Sequence, residues 1–190
     1  MSETLRTFIA IELNPQIKQE LAKIQSELKK SGADAKWVKP ENIHLTLKFL
    51  GATAVDKIET INQALQDVAK NHSSFEMAIA QLGAFPRIES PRIIWLDINQ
   101  GKEILKNLAR EIEEKISVLG FPKENRPFQT HITLARIKSS LNRIDLAKKL
   151  KETTPLPLSQ RIDKITFLKS TLTPQGPNYE IIKEIDLKTI

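Results

Sequence analysis

The chain repeats itself once, and nothing else in it constrains the fold as tightly. A short apolar strand pattern at 5–13, LRTFIAIEL, leads into a helix pattern at 15–31 with Ile17, Leu21, Ile24 and Leu28 on one stripe. Asn14 suits the helix cap, Pro15 the first helical position and Gly32 the end. A strand pattern at 43–50, a helix pattern at 55–69 and a strand at 75–85 follow. After the loop PRIES and Pro91 the succession starts again. A strand at 92–98 precedes a helix at 102–119 carrying Ile104, Leu108, Ile112, Ile116 and Leu119. Then come THITLARI at 130–137, a helix at 142–151 and a strand at 162–168. A single offset of 87 residues superposes the two sets. Two copies are too few for a solenoid and predict one bilobal domain over 1–190, with pseudo-two-fold halves of about 1–90 and 91–190. The tail NYEIIKEIDL adds a last strand, with Tyr179, Ile181, Ile185 and Leu187 on one side.

The same offset relates two of only three histidines, His44 and His131, and each opens the phrase His-x-Thr-Leu. Side chains alternate along a strand, so His44 shares a face with Thr46, and His131 with Thr133. The intervening apolar residues anchor each strand in a core. Pseudo-two-fold symmetry would set the polar pairs across one cleft.

Such a pair suits displacement at phosphorus, which needs a base on the attacking side and an acid on the leaving side. Imidazole titrates near neutrality and serves for both. The threonine hydroxyls can bond non-bridging phosphate oxygens, and a cation can offset the charge that builds there. Arg136 is the first candidate cation. Its strand parity opposes that of His131, so it reaches the cleft only through a bulge or at the strand's end. Lys48 shares the parity of His44, and Arg126 lies in the loop before the second motif. His72, in the polar turn KNHSS, reads as structural. Two histidines without cysteine, His-x-x-x-His spacing or a carboxylate cluster form a poor ligand set, so no metal and no cofactor is expected. Phe8 and Phe49 read as core, while Trp37 and Phe128 lie in segments entering the two His strands.

Composition narrows the setting. A formal charge of +6 and a pI near 9.5 favour polyanionic partners at long range. Cysteine is absent, which excludes disulfides and thiol nucleophiles and fits a cytoplasmic protein. No apolar run is long enough for a membrane span, and the start MSETLRTFIAIEL lacks the basic segment and cleavage site of a signal peptide.

The phrases LRTFIAIEL, WVKPENIHLTLKFLG, RPFQTHITLAR and STLTPQGPNYEII together resemble the RNA 2′,3′-cyclic phosphodiesterases, also called 2′-5′ RNA ligases, of the two-histidine phosphoesterase superfamily. The resemblance covers nearly the whole chain. It implies a bilobal α+β fold with antiparallel-dominated sheets, outer helices and a central cleft. It implies metal-free hydrolysis of RNA ends or nucleotides bearing a 2′,3′-cyclic phosphate to a 2′-phosphate, with reversible 2′-5′ ligation as a further activity. By analogy His44 donates a proton to the departing 3′-oxygen and His131 activates water, although the sequence alone does not assign the two roles. Thr46, Thr133 and Arg136 carry over as phosphate ligands. Another two-histidine activity, on cyclic nucleotides or 2′-5′ oligonucleotides, would use the same residues. An RNA-binding module without turnover is the alternative from another class. A monomer is expected, because the repeat supplies the symmetry that a dimer would.

Overall fold

The computed structural model describes residues 3–189. The first repeat forms β1 (Thr4–Glu12), α1 (Pro15–Lys29), β2 (Ala35–Trp37), β3 (His44–Ala54), α2 (Ile58–Ala69) and β4 (Phe75–Phe85). The second forms β5 (Ile93–Ile98), α3 (Lys102–Val118), β6 (Ile132–Ile137), α4 (Arg143–Glu152), β7 (Ser159–Ile162), β8 (Lys164–Thr173) and β9 (Gly176–Asp186). Local chemistry accounts for the helix starts and faces. The Asn14 side chain accepts from the Ile17 N–H at 2.8 Å, Pro15 occupies the first turn, and the predicted stripe of α1 is buried. The stripe of α3 is shifted by one position from its predicted start. Leu105 is buried and Ile104 is 40 % exposed, because Leu105 lies on one face with Leu108, Ala109, Ile112 and Ile116.

Two antiparallel sheets result, ordered β3-β1-β8-β9 and β2-β6-β5-β4-β7. They do not follow the sequence halves. The third long strand of each repeat crosses over, so β4 pairs with β5 and β8 pairs with β1. The first helix of each repeat crosses as well. Gln25 of α1 donates to the Leu134 carbonyl of β6 at 3.0 Å, and α3 packs on β3. Buried residues from both sheets belong to one apolar cluster, which includes Ile9, Leu45, Ile94, Ile132 and Phe167. A smaller cluster of Phe8, Ala10 and Leu168, with Tyr179 against it, covers the opposite face of the first sheet.

The uniform offset of 87 needs correcting. It holds for the His strands, but cross-strand partners equate Ile9 with Ile94 and Ile11 with Leu96 in β1 and β5. They equate Phe167 with Ala84 in β8 and β4. Connections of unequal length absorb these differences, while the order of elements is kept. The tail also departs from the predicted single face. Ile182 has no partner across β8, which bulges β9. Tyr179 therefore joins the Phe8 cluster, Ile181 is exposed, and Ile185 and Leu187 enter the main core.

Candidate active site

The His strands share one device. Along β3 the pairing passes from Ala10–Thr46 to Ile9–Lys48 and leaves Leu47 without a partner. Along β6 it passes from Trp95–Thr133 to Ile94–Ala135 and leaves Leu134 without one. The two bulges occupy equivalent repeat positions. Each puts two successive side chains inward, so the residue after them faces the same way as the threonine. Phe49 and Arg136 therefore become counterparts, and both line the cleft with His44, Thr46, His131 and Thr133. A second bulge, at Leu50, leads β3 into Gly51 at φ +72°, a left-handed conformation that glycine adopts without strain.

Strand parity therefore serves one cation and misplaces another. Arg136 reaches the cleft through the bulge it required. Lys48 does not: the same bulge in β3 drives it inward, where it is 3 % exposed. Its Nζ donates to both carboxylate oxygens of Glu113 at 2.7 Å and to the Pro122 carbonyl at 3.2 Å. Arg126 stays on an exposed loop outside the cleft. Phe49 is not core but 57 % exposed in the cleft wall. Trp37 lines the cleft, whereas Phe128 packs against the main core.

The cleft has a volume of about 440 Å³ and takes residues from both sheets. In each His motif the backbone carbonyl two residues upstream fixes the ring. His44 Nδ1–H donates to the Asn42 carbonyl at 2.8 Å, and His131 Nδ1–H to the Gln129 carbonyl at 2.7 Å. A carbonyl only accepts, so in the neutral ring Nδ1 carries the proton and Nε2 keeps the free lone pair. At His44, Nε2 accepts the Thr46 hydroxyl at 2.9 Å.

The two rings have different surroundings. His44 sits 4.9 Å from the Phe8 ring and 5.3 Å from Tyr179, centre to centre, with Tyr179 edge-on. Burial pushes its pKa below the ordinary 6.5, opposed by the Asn42 carbonyl and Glu12 and assisted by Lys18. His131 meets Phe85 edge-on at 5.6 Å, and Phe85 stacks on Trp95 at 5.0 Å. That stack lies where Gly83 leaves room, since a Cβ there would clash with the Trp95 indole. Asn42 also donates to the Pro177 carbonyl at 2.8 Å, tying the β8–β9 hairpin to the His44 side.

Among the described residues, four cations line the cleft, Arg6, Lys36, Lys39 and Arg136, and no carboxylate does. None of the four forms an ion pair among the described residues. Arg6 and Arg136, from opposite sheets, both act on the Tyr179 hydroxyl, lowering a pKa that burial raises more strongly. Sequence reasoning missed Arg6, Lys36 and Lys39. Parity is the signal that points to Arg6, since it alternates with the inward Ile9 and Ile11 and shares the face of Phe8.

Comparison with known proteins decides the family. The LigT like Phosphoesterase model matches twice in succession, over residues 11–95 and 96–179. The chain belongs to this family. An RNA 2′,3′-cyclic phosphodiesterase of Thermotoga maritima is 35 % identical over 180 residues, covering 95 % of this chain and 94 % of that protein. One of Methanocaldococcus jannaschii is 35 % identical, covering 95 % and 99 %. The fold of this phosphoesterase also matches solved structures. A Thermus thermophilus protein superposes with a TM-score of 0.81 at 24 % identity, covering 97 % of this chain and 99 % of that one. Escherichia coli LigT complexed with 3′-AMP superposes with 0.77 at 23 % identity, covering 98 % and 99 %.

Proposed function

We propose that this phosphoesterase hydrolyses the 2′,3′-cyclic phosphate at an RNA end to a 2′-phosphate, with His131 as base and His44 as acid. The observation that carries this reading is the matched pair of Nδ1-anchored imidazoles lining one cation-rich cleft. Water attacks phosphorus and gives its proton to His131 Nε2. The bond from phosphorus to the 3′-oxygen breaks, and that oxygen takes a proton from His44 Nε2. A 3′-hydroxyl and a 2′-phosphate remain. Thr46 and Thr133 donate to the non-bridging oxygens, and Arg136 offsets their charge. Run with the 5′-hydroxyl of a second RNA in place of water, the same geometry gives a 2′-5′ linkage.

Burial keeps His44 low in the free protein, yet an acid must be protonated. A phosphodiester anion about 4 Å away favours the imidazolium by about 4 kcal/mol at an effective dielectric near 20. Substrate thus supplies the charge that protonates its own acid. These steps call on no metal, and among the described residues no three His, Cys, Asp or Glu side chains stand together as ligands.

The test is incubation of RNA ending in a 2′,3′-cyclic phosphate with the protein in EDTA. Full turnover to a 2′-phosphate is expected, and His44→Ala or His131→Ala loses about 10²–10⁴-fold. A phosphodiester with a nitrophenolate leaving group needs no acid, so it rescues His44→Ala and not His131→Ala. Abolition by EDTA, a 3′-phosphate product, or RNA binding without turnover would sink the reading.

A further inference from the structure

Strand β2 breaks the symmetry of the two lobes, for it extends the second sheet beyond β6 and, among the described residues, the first sheet has no equivalent beyond β3. It places Lys36 directly opposite Arg136 in an antiparallel pair. Directly opposite residues share a face, and both side chains line the cleft. Like charges in that position destabilise a sheet. An edge lysine serving only to discourage aggregation has no need of the cleft face.

The doublet is held firmly. Val38 N–H donates to the Leu134 carbonyl at 2.9 Å, and Lys138 N–H to the Asp34 carbonyl at 2.8 Å. Gln25, itself 1 % exposed, donates to the Val38 carbonyl at 2.7 Å. Lys39 follows at the same rim. The charge count also matters, because a cyclic phosphodiester is a monoanion and four cations without an ion pair among the described residues line the cleft. Two cations already exceed the single negative charge of that phosphate, so the Lys36–Lys39 pair at the rim is surplus to it.

Resting on the phosphodiesterase reading, we propose that Lys36, with Lys39 beside it, forms a second phosphate subsite. It takes the phosphodiester joining the terminal nucleotide to the rest of the RNA. The preferred substrate is then an oligonucleotide end rather than a mononucleotide. The cost of setting Lys36 against Arg136 in the free protein is recovered when two adjacent phosphates arrive.

Binding and turnover test this separately. The binding probes are a diuridylate ending in a 2′-phosphate, the same dimer with an uncharged methylphosphonate linkage, and uridine 2′-monophosphate. The wild type should bind the charged dimer about fivefold more tightly than the neutral one at low salt, in line with a rim ion pair. Lys36→Gln should abolish that ratio and reduce the salt slope of log K for the charged dimer by about 0.7. The melting temperature should stay level or rise, because a like-charge pair has been removed. The ratio of kcat/KM for dinucleotide over mononucleotide cyclic phosphates should fall in parallel. Equal wild-type affinity for the two dimers, or equal losses in Lys36→Gln on all three probes, overturns the subsite. Wild-type discrimination between the dimers without turnover of either cyclic phosphate leaves the subsite standing and removes the phosphodiesterase reading instead.

Discussion

The cleft has two walls built by one backbone device, and the residues that follow the two bulges differ in chemistry. Both His strands bulge at equivalent leucines, Leu47 and Leu134, and both rings are anchored by the carbonyl two residues upstream. Beyond the bulge the lobes diverge. Phe49 extends an aromatic wall of Phe8 and Tyr179 around His44, whereas Arg136 opens a cationic wall beside His131. The two lobes thus share the geometry that sets the two imidazoles and differ at the neighbouring position. An apolar wall depresses the charge of the ring beside it, and a cationic wall attracts an anion. The difference gives a symmetric scaffold a direction.

Arg136 is the sharpest place to break that difference. If its guanidinium offsets charge that grows on the phosphate oxygens, Arg136→Gln should lower kcat by about 10²–10³-fold, the scale for losing one such donor. Arg136→Lys should recover part of this, because the charge returns without the planar fork. Phe49→Ala, at the equivalent position, should act mainly on KM and leave kcat within a few fold. Steady-state kinetics on a cyclic phosphate substrate check both. Matching kcat losses at the two positions would show that the walls are not specialised.

Lys48 marks where the first lobe uses its charge for structure. Its side chain is 1 % exposed and its partner Glu113 23 %, and the pair joins β3 to α3 and to the segment before the second motif. Breaking a fully buried pair costs about 3–5 kcal/mol; with Glu113 partly open to water, Lys48→Ala should cost about 2–3 kcal/mol. Urea unfolding measures it. The folded fraction should keep kcat within a few fold, in contrast to Arg136→Gln. A large kcat loss with unchanged stability would return Lys48 to the cleft.

These positions also show what the sequence made legible. Helix α1, its Asn14 cap and the face-sharing His–Thr pairs follow from local periodicity, which the chain states plainly. The bulges do not, because HLTLKFLG and HITLARI read as unbroken strands whichever residue is left unpaired. Two errors at the site follow from that. Unbroken alternation puts Lys48 on the wrong face and Phe49 in the core. Only Arg136 exposes the problem, because an arginine with core parity needs a bulge. The exchange of β4 and β8 is equally hidden, since alternation identifies a strand without naming its neighbour. Arg126 fails for a different reason: nearness in sequence to His131 does not bring an exposed loop into the cleft.

The smallest expected effect concerns the aromatic wall itself. Burial lowers the pKa of His44 in the folded protein below its ordinary 6.5. The unfolded chain then binds the proton first, so stability rises with pH across the window below 6.5. The neutral ring's contribution is fully present above about 6.5 and is lost as pH falls through that window. Proton NMR of the imidazole C–H signals should therefore show a signal titrating below 6.5 that disappears in His44→Gln. Phe8→Ala, which wets the ring, should move that midpoint upward, and saturating inorganic phosphate should do the same by Coulomb attraction. A midpoint unmoved by Phe8→Ala would mean that the aromatic wall does not set the charge of His44, and the contrast between the two walls would reduce to Arg136 alone.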